Sequence, residues 1–174
     1  QPIAAIGRAL DVEVSLAFGA GDMKRLEVLL VRGVRGALLL STTLSAVIIV
    51  LGSWLFTHWT AGQITFNPLL FGILVAAGTC GGLTVVPLAL LTGSNRHVAI
   101  APLYLALCGA LPVAIAYLAL RDHGLIGLAY AILASEFLFM ILVFRRTLAK
   151  CSFTLGMFVS AVLGARDGAA RGAL

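Results

Sequence analysis

The chain has 174 residues, of which 61% are apolar and 11% charged, with a mean hydropathy of +1.09 and a formal charge of +5. A soluble domain carries about 25% charged residues, so this composition excludes an ordinary water-soluble globule. The positive balance does not indicate a nucleic-acid partner either, because the basic residues gather at the ends of apolar runs instead of forming one polar face.

In chain order, residues 3–18 are apolar but carry Arg8, Asp11 and Glu13. This stretch reads either as an interfacial helix or, preferably, as the cytoplasmic end of a membrane helix that begins outside this chain. Gly19-Ala20-Gly21-Asp22 interrupts it: glycine ends a helix, and aspartate is a good N-cap for the next. A new helix is expected from about Met23. Leu26, Leu29, Leu30 and Val34 recur at helical spacing among Lys24, Arg25, Arg32 and Arg35, which predicts a basic amphipathic helix over 23–36 at the inner interface. Its arginines would touch lipid headgroups or simply anchor the topology.

Four apolar runs follow, at 37–56, 69–91, 98–120 and 124–144, each of 20 to 23 residues. At 1.5 Å per residue such runs measure roughly 30–35 Å, enough to cross the hydrocarbon core. The expected fold is therefore all-α, with four transmembrane helices over 37–148 and a tail over 149–174. Within the tail, 153–163 is long enough to lie on a membrane but not to cross it, and 165–174 is small, charged and expected to be disordered.

Charge sets the expected orientation. With both ends of the chain inside, eleven Lys and Arg, among them Arg96, Arg145 and Arg146, lie on the cytoplasmic side, and Arg121 alone lies outside. Trp54, His58 and Trp59 then mark the outer end of the first run.

The runs are not plain anchors. Gly78 and Gly82 form a small-xxx-small pair expected to receive another helix. Pro87 and Pro112 each remove a backbone donor and are expected to kink their helices. Glu136 is the only acidic residue within the four runs. An intramembrane carboxylate is expensive, so it marks either a proton or cation site or a structural contact to a neighbouring helix. Cys80, Cys108 and Cys151 lack metal or redox spacing and read as small packing residues. No catalytic or phosphate-binding motif is present in the sequence, and no enzyme activity, metal or cofactor is expected.

Three segments together resemble a known family. They are Ala17-Phe18-Gly19-Ala20-Gly21-Asp22 before a basic helix, the loop Leu91-Thr92-Gly93-Ser94-Asn95-Arg96, and Gly124-Leu125-Ile126-Gly127-Leu128-Ala129-Tyr130-Ala131 followed by Glu136. Over residues 6–148 the order of elements resembles the C-terminal part of polysaccharide flippases of the multidrug/oligosaccharidyl-lipid/polysaccharide exporter superfamily. The resemblance implies helices nine to twelve of a twelve-helix transporter in the bacterial inner membrane, with the earlier helices of the same protein as partners. It implies an undecaprenyl-linked sugar unit as substrate, as in lipopolysaccharide or exopolysaccharide assembly, moved by alternating access. The other readings are another exporter of that superfamily, for drugs or lipids, or a small four-helix membrane protein acting as a homo-oligomer or subunit scaffold.

Overall fold

The computed structural model describes residues 2–94, 100–151 and 154–163, and every regular element among them is helical. Helix α1 spans Pro2–Gly19 and α2 spans Met23–Trp59. The junction between them follows from Gly21. Its φ of +69° is the left-handed conformation that closes α1: Asp22 donates its backbone N–H to Ala17 O, and Gly21 donates to Phe18 O. Asp22 then accepts from the Arg25 backbone N–H at 3.0 Å and opens α2. One four-residue turn thus stops one helix and starts the next.

The separate amphipathic helix and first span expected over 23–36 and 37–56 are one helix. No proline or cap interrupts the ladder between them, and the 37 residues of α2 extend roughly 55 Å, well beyond a bilayer core of about 30 Å. Helix α3 spans Pro68–Gly93, opened by Asn67, whose side chain accepts from Leu70 N at 3.0 Å.

The expected run at 98–120 takes a different form. A short α4, Ala101–Tyr104, passes into a π-helical turn, Leu105–Ala110, and then into α5, Leu111–Leu148. Pro112 stands at the start of α5 and has no N–H to return to Cys108 O, so the preceding turn widens where a kink was expected. The outer turn expected at 121–124 reduces to one residue: the backbone stays helical through 121–123 and breaks only at Gly124, with φ 57° and ψ −148°. That region of φ/ψ is open essentially to glycine alone.

Three helices are long and apolar enough to cross a membrane: Met23–Trp59, Pro68–Gly93 and Gly124–Leu148. Ala101–Ile115 is apolar but shorter, so among the described residues three helices have the length expected of four. A last helix, α6, covers Leu155–Val162, capped by Thr154.

Helix α3 sits at the centre, packed against α1, α2 and α5. The antiparallel register of α2 on α3 is fixed by three contacts: Gly33 against Val86, Ser45 hydroxyl to Thr79 hydroxyl at 2.7 Å, and Gly52 against the ring of Phe71. The main core lies at the basic end, where Val14, Leu30, Val34, Val86, Leu148 and Phe158 meet. A second cluster joins Leu91, Ile100, Phe139 and Val143. At the opposite, aromatic end α2 is loosely covered: Val47, Ile49, Val50 and Trp54 are exposed, an apolar surface of the kind a membrane span presents to lipid.

Candidate functional site

Glu136 lies on α5 one residue past a fully buried stripe. That stripe is Ala131, Ser135, Phe139, Val143 and Thr147, at four-residue spacing. Ile132, Glu136 and Met140, four residues apart on one helix face, are half-buried, at the edge of the contact with α3. A carboxylate so placed touches protein on one side without being sealed.

What it touches is specific. A Cβ built on Gly81 of α3 would meet Glu136 Oε2 at 3.3 Å, so the carboxylate lies almost on the α3 backbone and a larger residue at 81 would push it away. From the other side Cys108, in the π-helical turn, lies within electrostatic reach of it. Cys80 and Tyr104 lie within electrostatic reach. The site is therefore built from α3, the π-turn and α5 together. The widened turn also frees backbone oxygen: Pro112 offers no donor to the carbonyls four and five residues before it. A carboxylate, a thiol, a phenol and backbone carbonyls can hold and release a proton or a hard cation without covalent chemistry. Among the described residues no three His, Cys, Asp or Glu side chains gather as a metal site.

Gly78 is exposed, with open space among the described residues where a Cβ would stand, and Gly82 is half-buried. Close approaches among the described residues occur at Gly33, whose Cβ would lie 2.7 Å from Val86 Cγ1, at Gly93, 2.7 Å from Val14 Cγ1, and at Gly52. A signal for the α2 positions was in the sequence, where Gly33, Ala37, Ser41 and Ser45 recur every four residues. Pro87 is buried inside α3, and its carbonyl accepts from the Thr147 hydroxyl at 3.3 Å, which ties α3 to α5.

The basic residues divide by role. Arg25 and Arg32 are exposed, and Arg25 lies 3.8 Å from Glu13 in a solvated pair that contributes little. Arg145 and Arg146 are exposed in the last turn of α5, where cations complement the helix dipole. Arg96 lies outside the described residues, as does the tail over 165–174. Arg35 departs from its expected headgroup role. Its Nε donates to Val162 O at 2.9 Å and its Nη2 to Ala161 O at 2.8 Å, so it caps the C-terminus of α6. Phe158 is buried beneath that clasp against Phe144, with ring centroids 5.9 Å apart. Nothing in the sequence pairs residue 35 with 162; only the fold does. Cys151, just beyond α5, is buried in the same core. Burial first, and the negative charge of Glu27 second, push its thiol up to about 11.

The chain matches no family model, no curated protein and no solved structure.

Proposed function

We propose that this chain is the C-terminal helical bundle of a bacterial inner-membrane transporter that translocates lipid-linked oligosaccharide by alternating access, with both ends of the segment cytoplasmic. The substrate class rests on the resemblance of its turns and element order to polysaccharide flippases. The mechanism rests on one observation: Glu136 is the only acidic residue in the apolar runs, and it lies at the seam of α3, the π-turn and α5 instead of inside a sealed core. Carboxylates in such positions take up and release protons or cations as helices slide past one another, and π-turns give a helix a place to rewind. The second reading, a scaffold or homo-oligomer, draws on the open face at Gly78, which suits a further helix.

Glu136→Gln in the full-length protein is the test, with undecaprenyl-linked oligosaccharide followed across reconstituted vesicles. Gln keeps the size and most of the hydrogen bonding but cannot ionise. Transport should fall by about an order of magnitude while the amount of folded protein stays normal. Unchanged transport would make Glu136 structural. A wild-type protein that leaves this substrate in place would refute the substrate class.

A further inference from the structure

At the aromatic end lies a pocket of about 470 Å³ that the Glu136 site does not use. Its floor is three phenylalanines in series. Phe56 stands in the last turn of α2, Phe66 in the connecting loop and Phe71 in the first turn of α3, with centroids 5.6 Å apart for the first pair and 5.3 Å for the second. Gly52 has no side chain, so the Phe71 ring lies flush on α2 and the floor is fixed. Leu74 and Ile126 form walls, and Thr65 and Asn67 bring polar groups to the rim. No charged residue lines it.

We propose that this pocket is a lipid site that holds one acyl chain of a membrane glycerolipid, with the ester end at Thr65 and Asn67. Three features carry the assignment. The lining is apolar and aromatic, so the space does not hold ordered water. Trp54 and Trp59 are exposed at the same end, 59% and 87%, which sets this level at the membrane interface where glycerol esters lie. The pocket also runs into apolar surface: Ile64, Leu74 and Leu125 line it and are exposed, so a chain enters sideways from the bilayer. The polarity of the site, apolar floor and amide rim, matches the polarity of a lipid at this depth. None of this depends on what the bundle transports.

Tryptophan quenching by brominated lipid reads the occupant directly. Trp54 and Trp59 are the only tryptophans, so replacing both with Phe leaves a silent background. In it, Phe66→Trp places a probe in the floor and Ile64→Trp one at the exposed wall, the second being a change the fold accepts readily. The full chain is reconstituted into phosphatidylcholine vesicles brominated near the ester end or near the methyl end of the acyl chain. A protein with Trp54 alone serves as the lipid-facing reference. Both probes should lose at least as much emission as Trp54, and more with bromine near the ester. Probes left bright while Trp54 is quenched would overturn the proposal. A blue-shifted bright probe would then mean that a second copy or another protein segment fills the pocket, and a red-shifted one that water does.

Discussion

Individual side chains at the basic end behave as in any packed protein, and Cys151 shows it. Burial among Leu148, Phe158 and Leu26, with Glu27 near, keeps the thiol neutral at physiological pH. The thiolate is the reactive form, so an alkylating reagent should label Cys151 slowly in the folded protein up to about pH 11 and rapidly once detergent or heat unfolds it. Fast labelling at neutral pH in the native protein would show that the basic-end core is open. Glu136 is the opposite case, a charged group deliberately kept at a helix seam, and the sequence made it visible because nothing acidic stands near it in any apolar run. Its partners were not legible. Cys108 and Cys80 look like ordinary small residues, and only the fold brings them within electrostatic reach of the carboxylate.

At the scale of elements, the helices divide into those that local chemistry dictates and those that packing dictates. The α1–α2 turn was legible because Gly21 and Asp22 act on their own neighbours. The length of α2 was not, because a charge boundary at residue 36 changes the solvent of a helix without breaking its hydrogen bonds. Close-packing glycines show the same split. Gly78 and Gly82 carry the recognisable spacing, yet it is Gly33 that meets Val86. Val86 is fully buried and β-branched, so it cannot yield, and Gly33→Ala should destabilise the bundle by about 1–3 kcal/mol. Gly78→Ala meets open space and should be neutral or stabilising by up to about 1 kcal/mol through helix propensity. Thermal unfolding in detergent compares the two; equal losses would contradict the register of α2 on α3. The Arg35 clasp is tested separately. Arg35→Gln removes a charge-assisted hold on the α6 carbonyls worth about 1.5–3 kcal/mol. Hydrogen exchange should rise throughout Leu155–Val162 and stay unchanged in α3. Unaltered protection of α6 would mean that Phe158 alone seats it.

The whole molecule is asymmetric from end to end. Its basic end has a continuous core closed by α1, α6 and the Arg35 clasp, whereas its aromatic end is held by a few phenylalanines and Gly52 and shows apolar side chains outward. In water such a surface would drive aggregation; in a bilayer it faces solvent of its own kind. Charge counting in the sequence expects eleven Lys and Arg on the cytoplasmic side and Arg121 outside. The central proposal is a bundle embedded across the inner membrane with its basic end in the cytoplasm. Cysteine accessibility tests it most directly. In a background with Cys80, Cys108 and Cys151 replaced, Gln63→Cys places one thiol in the exposed loop at the aromatic end, and Ala149→Cys places another just past α5 at the basic end. An impermeant thiol reagent added to intact cells should label residue 63 and spare residue 149 until the membrane is opened. Labelling of 149 alone, or of both in intact cells, would contradict the account.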